Sequence, residues 1–130
     1  MSDKVSIISM NAQGLGVKGK RKDVINLLKS KRYSICFLQY THFTKVEEIF
    51  IRTQWGYDCF FSNHTSQSRG VAISINKNFD YKVNNIECDE DGNLLILNCN
   101  ISEKNITLIS IYGPNRDNPT FYQNLHDRMS

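Results

Sequence analysis

"VSIISMNAQGLGVKGKRKDVINLLKSKRYSICFLQYTH", Val5 to His42, reads as strand, loop, helix and strand in succession. Val5 to Met10 is a β-branched apolar run of strand length, and "NAQGLGVKGK" ends it with three glycines, which mark a loop. "KRKDVINLLKSKR" then places Val24, Leu27 and Leu28 on one arc at helical spacing, and "SICFL" returns to a short buried strand. A strand, a crossover helix and a second strand make a β-α-β unit, so the two strands are expected to be parallel with the helix on one face of the sheet. The second strand runs into "QYTH", a polar cluster at a strand end, where α/β proteins expose their chemistry.

Outward from this unit, "KVEEIFIRTQW" predicts a second helix with Val46, Ile49 and Phe50 on its inner side. "YDCFFSN" and "GVAISIN" read as strands flanking the loop "HTSQSR". "YKVNNIECD", "NLLILNCNI" and "NITLISIY" follow, joined by "EDG" and "SEKN", short polar connections of antiparallel hairpins. "GPNRDNP" is a proline-set loop, and "TFYQNLHDRMS" predicts a short final helix. The later strands carry apolar residues on both faces: Leu95, Leu97, Cys99 and Ile101 on one side of "NLLILNCNI", Leu94 and Ile96 on the other. Such strands need cover on both sides. The helices supply one cover, and the second is expected to be missing.

The 130 residues, 40% of them hydrophobic, suit one domain over 1–130. A formal charge of +3 is compatible with a phosphate-bearing partner but does not demand one. Cys36, Cys59, Cys88 and Cys99 lie singly among strand residues, with no C-x-x-C pair, and read as reduced, buried thiols. With no signal peptide and no apolar run of membrane-spanning length, the expected location is intracellular, cytoplasmic or nuclear, with no membrane partner.

The ordered segments "SIISMNAQGLG", "SICFLQYTHFT", "FFSNHTSQSRGVAISI" and "NITLISIYGPN", with the basic helix after the first, carry a resemblance. They resemble the N-terminal half of the endonuclease/exonuclease/phosphatase (DNase I-like) superfamily, and within it the apurinic-type endonuclease domains of non-LTR (LINE-type) retrotransposons. The resemblance implies an α/β fold, the N-terminal half of a four-layer sandwich: one mixed, largely antiparallel sheet with helices on one face, in an apparently truncated domain. It also implies a Mg²⁺-dependent phosphodiesterase ancestry. In such chemistry a hard cation and a ring of donors hold a phosphodiester for in-line attack by water.

In the family pattern an Asn closes the first strand, a Glu in "Q-E-T-H" binds the metal and a Tyr in "Y-x-P-N" contacts phosphate. Asn11 and Tyr112 match as ancestral catalytic positions, and Asn115 completes the last motif as a nucleic-acid contact. Tyr40 stands where the metal-binding Glu belongs. A phenol is neutral near pH 7 and brings a hard dication no formal charge, so Mg²⁺ affinity is expected to be weak or lost. His42 and His64 match family residues by type alone and take no role from it.

Independently of the resemblance, Lys18, Arg21, Lys22, Lys29 and Arg32 fall on one stripe of the basic helix at about 100° per residue, a candidate phosphate-contacting surface for DNA. Cations in a first helical turn oppose the helix dipole, so they are not there for helix stability.

The sequence therefore favours a degenerate retrotransposon-type endonuclease domain with little or no hydrolysis and weak nucleic-acid affinity. A Mg²⁺-dependent endonuclease, active within a longer polypeptide or as a self-complementing homodimer, is the first alternative. A noncatalytic module that binds a protein partner through the open sheet face is the second.

Overall fold

The computed structural model describes residues 5–11, 18–39, 41, 45–62, 70–89 and 93–111, with the backbone alone for 18, 45 and 46. In chain order the elements are β1 (Ile7–Asn11), α1 (Lys18–Lys31), β2 (Ile35–Gln39), α2 (Lys45–Trp55), β3 (Asp58–Ser62), β4 (Val71–Ile75), β5 (Tyr81–Cys88), β6 (Leu94–Ile101) and β7 (Lys104–Ile111). β1 and β2 pair in parallel, Ile7 opposite Ile35 and Asn11 opposite Gln39, with α1 as the crossover, as the sequence predicts. The final helix predicted over "TFYQNLHDRMS" lies outside the described residues.

The α/β class holds, but the strands divide between two sheets instead of one. The first has the order β1-β2-β4-β3 and the second β5-β6-β7. Period-2 alternation explains why they pack together. On β2 and β4, Cys36, Leu38 and Ala72 point to the helices, where they meet Ile25, Leu28, Ile51 and Trp55. Their neighbours Ile35, Val71, Ile73 and Ile75 point the other way, onto Leu95, Leu97, Cys99 and Leu108 of the second sheet. One face of the later strands is thus covered by the first sheet and not by the helices, which pack on the first sheet's other side.

Both helices are rotated from the faces expected for them. α1 buries Ile25 and Leu28 completely and leaves Leu27 54% exposed. α2 buries Ile51 and Trp55, one turn apart, while Ile49 and Phe50 are exposed. The reason is the helix pair itself. Arg21, one turn before Ile25, is buried and its Nη1 donates at 2.8 Å to Glu47 Oε2 on α2, so the polar contact between helices fixes which arc turns inward.

Two local devices end elements without proline. After α2, Gly56 adopts φ +77° and its N–H donates to the Arg52 carbonyl at 3.0 Å, the left-handed cap that glycine fills without a Cβ clash. Between β6 and β7, Ser102 (φ 51°) and Glu103 (φ 67°) form a two-residue hairpin turn with both central residues left-handed, which matches the twist of the strands.

The two sheets are tied at their flanks by side chains. The Tyr81 hydroxyl on β5 donates to Asp58 Oδ2 on β3. At the other end of β3, Ser62 Oγ donates to the Asp89 carbonyl at 3.0 Å. On the opposite flank Ser110 Oγ of β7 donates to the Leu38 carbonyl of β2 at 3.2 Å.

Candidate functional site

The parallel pair directs the C-terminal ends of β1 and β2 to the same end of the sandwich, and their antiparallel neighbours turn there. Gln39 lies opposite Asn11 on one side and Val71 on the other, and Val71 is opposite Ser62. Asn11 ends β1 exposed to solvent, on the same face as Ser9 and Gln39. β7 finishes at this end too, because Ser110 reaches β2 there.

Gln39 organises the cluster. Its Nε2 donates to Ser9 Oγ at 3.3 Å and to Ser110 Oγ at 3.3 Å, so one amide links β1, β2 and β7. Two residues on, the Thr41 N–H donates to the Gly70 carbonyl at 3.1 Å, holding the start of β4 against the end of β2. Thr41 is fully buried and its Oγ1 has no hydrogen-bond partner among the described residues. An orphaned buried hydroxyl costs on the order of 1 to 3 kcal/mol.

Tyr40, Tyr112 and Asn115 lie outside the described residues. Their immediate neighbours Gln39 and Ile111 end β2 and β7, so the strand ends that lead into Tyr40 and Tyr112 converge with the one that carries Asn11. The donors described at this end are the amides of Asn11 and Gln39 and the hydroxyls of Ser9, Thr41 and Ser110. All are neutral. The nearby carboxylate of Asp89 is engaged: its Oδ1 accepts from Ser62 Oγ at 3.1 Å and from the Asn93 and Leu94 N–H groups at 3.0 and 3.1 Å. A hard dication prefers several anionic oxygens, and Asp89 is the carboxylate described at this end. No group of three or more His, Cys, Asp or Glu is placed to hold a metal among the described residues.

The basic stripe is only partly brought together. Arg21 turns inward to Glu47 and is removed from it, while Lys22 and Lys29 are exposed on one side of α1. Lys29 Nζ reaches the Gln54 carbonyl of α2 at 3.3 Å. The Lys18 side chain lies outside the description. At 1.5 Å per residue the stripe runs about 10 Å from Lys22 to Lys29, away from the strand ends, and Arg32 leaves it, lying past the end of α1 with φ 54°.

Cys36, Cys59 and Cys99 are inert by their surroundings. Burial pushes Cys36 up to about 12 and Cys59 to about 11, and Cys99 is raised by the same cause. Cys88 departs from expectation: it is exposed on the edge strand β5, where alternate residues face solvent. Sequence reasoning also missed the role of Ser110, a neutral polar residue in a strand with no motif, and gave Gln39 none although it opens the "QYTH" segment.

No protein-family model matches the chain. Among curated proteins, it is 29% identical over 110 residues to the Transposon TX1 uncharacterized 149 kDa protein of Xenopus laevis, a match covering 85% of this chain and 8% of that protein. Among solved structures, it is similar to the AP endonuclease LMAP of Leishmania major, with a TM-score of 0.67 and 16% identity over 92% of this chain and 43% of that one. It is also similar to the endonuclease domain of TRAS1, a telomere-specific non-LTR retrotransposon, with a TM-score of 0.64 and 14% identity over 97% of this chain and 54% of that one. The chain thus has the DNase I-like fold of AP and retrotransposon endonuclease domains and spans about half the length of these solved structures. No helix among the described residues is long and apolar enough to cross a membrane.

Proposed function

We propose that the chain is a degenerate relative of retrotransposon endonuclease domains that recognises nucleic acid at the strand ends and hydrolyses phosphodiesters little or not at all. One observation carries this reading: the oxygens gathered around Gln39 are neutral amides and hydroxyls, and the residue that follows Gln39 is a tyrosine where the resembled motif has its metal-binding glutamate. Neutral donors can still hydrogen-bond phosphate oxygens, which supports binding. They do not anchor a cation strong enough to polarise a phosphodiester. Similarity to the TX1 transposon protein and to the TRAS1 endonuclease domain supports the choice of nucleic acid over other phosphorylated substrates.

The test is supercoiled plasmid DNA with Mg²⁺, followed by gel. The purified chain leaves the plasmid intact at enzyme excess, yet retards a labelled duplex in low salt. Mg²⁺-dependent nicking that disappears in Asn11→Ala would defeat the proposal.

A second reading rests on coverage. The match spans 8% of the TX1 protein, which fits a domain that works inside a much longer polypeptide, with acidic ligands contributed from outside these 130 residues. Tyr40→Glu separates the two readings. A rise of tenfold or more in Mg²⁺-dependent nicking supports a site short of one carboxylate, and no change supports the binding role.

A further inference from the structure

At the end of the sandwich opposite Gln39 and Asn11, a cleft of about 730 Å³ opens between the start of β3, the β4–β5 connection and the first half of β5. Ile75 lies opposite Asp58 there, as Val71 lies opposite Ser62 at the other end of β4, so the full strand length separates the cleft from the site already described. Its lining alternates cations and aromatic rings: Arg52, Lys77 and Lys82 with Phe60, Phe79 and Tyr81.

Each group is suited to a ligand with both negative charge and flat apolar surface. Asp58 is the carboxylate among the lining residues and accepts from the Tyr81 hydroxyl; with three cations against this one anion, the lining keeps a net positive charge. Arg52 is fixed in place, its Nη2 donating to the Cys59 carbonyl at 3.2 Å and its guanidinium lying 5.0 Å from the centre of the Phe61 ring. Lys77 and Lys82 are exposed. The rings of Phe79 and Tyr81 are stacked, with centroids 6.4 Å apart and planes 21° from parallel. Both are half-buried against the core between the sheets, which holds them as a rigid platform. The C-terminal end of α1 arrives at this end as well: the carbonyl of Tyr33, next to Arg32, accepts from the hydroxyl of cleft residue Tyr57 at 2.9 Å. The basic charge that the sequence places along α1 therefore continues toward this cleft.

Cations tracking a backbone beside aromatic faces are the combination that binds single strands, where unstacked bases offer their π surfaces and phosphates run alongside. A duplex keeps its bases stacked and offers no such surface. We propose that this cleft binds single-stranded nucleic acid, independently of the strand-end site.

The probe is a fluorescein-labelled oligothymidylate titrated by anisotropy in 50 to 200 mM salt. Lys77→Ala with Lys82→Ala removes two exposed charges without touching the core. It is expected to weaken binding at least tenfold and to flatten the log–log salt slope by about 1.4, at ~0.7 per lost phosphate contact. Phe79→Ala is expected to weaken binding at least fivefold with the slope unchanged, and Phe79→Tyr to retain it. Lys22→Ala, near the other end of α1, is expected to leave it unaltered. The proposal is overturned if the double lysine variant binds as the parent does, if the parent binds no oligothymidylate at 50 mM salt, or if polyglutamate of equal charge competes as well as unlabelled oligothymidylate.

Discussion

Leu97→Ala tests the packing of one sheet on the other. Leu97 is fully buried in β6 within the core shared with Ile35, Ile73 and Ile75 of the first sheet. Truncation removes three carbons, worth about 0.8 kcal/mol each on transfer, and the incompletely collapsed cavity adds to that, giving about 3 to 4 kcal/mol in total. With a urea m-value of about 1.5 kcal/mol/M, the midpoint falls by about 2 M. Trp55 is buried in the other core, against the helices, so its fluorescence reports the effect from across the first sheet. A shared transition by Trp55 fluorescence and by far-UV circular dichroism shows that the two cores unfold as one unit. Ile106→Ala, on exposed β7 surface, is the control and is expected to cost well under 1 kcal/mol. If Leu97→Ala costs no more than Ile106→Ala, the second sheet does not cover the first.

Arg21→Ala removes the guanidinium that holds the half-buried Glu47 carboxylate and is expected to cost about 1 to 3 kcal/mol by urea unfolding, whereas Arg21→Met with Glu47→Leu recovers most of it. Replacing Ser102-Glu103 by Asn-Gly supplies residues that favour left-handed backbone and is expected to add about 1 kcal/mol of stability. Alkaline pH destabilises the chain. Cys36 and Cys59 titrate higher folded than unfolded, so their contribution is complete below about 9 and is lost as pH rises toward the folded values of about 12 and 11. At pH 10 each costs on the order of 1 kcal/mol, read as a lowered urea midpoint relative to pH 7. Iodoacetamide at pH 8 is expected to label Cys88 and spare Cys36, Cys59 and Cys99 in the folded chain, as intact mass would show.

The elements themselves were legible because the β-branched runs and the helical arcs differ in period. "KVEEIFIRTQW" coincides with α2, and the hairpin predicted at "SEKN" turns at Ser102 and Glu103 alone, with Lys104 and Asn105 already paired in β7. The faces were less legible. Val24, Leu27 and Leu28 make a plausible arc by residue type, but an arginine paired with Glu47 on the neighbouring helix turns α1 so that Leu27 faces water. Apolar residues on both sides of β6 required two covers without saying where either came from, and the first sheet, not the helices, covers one of them. At the site, Asn11 was visible because it terminates a strand before a loop. The three-way bond of Gln39 depends on β7, 71 residues further along the chain, and no local pattern encodes it.

The flanks of the sandwich differ in how they are fastened. Both ends of β3 are clasped to the second sheet, by Asp58 with Tyr81 and by Ser62 with Asp89, while β1 reaches it through the Gln39 amide that joins Ser9 to Ser110 and leaves Ile7 more than half exposed. The molecule is bound like a book, with its spine along β3 and its loose page at β1. Asn11 is printed on that page, so any molecule that grips it also stills the strand, and backbone amides of β1 that trade protons freely in the empty chain would slow first when the strand ends are filled.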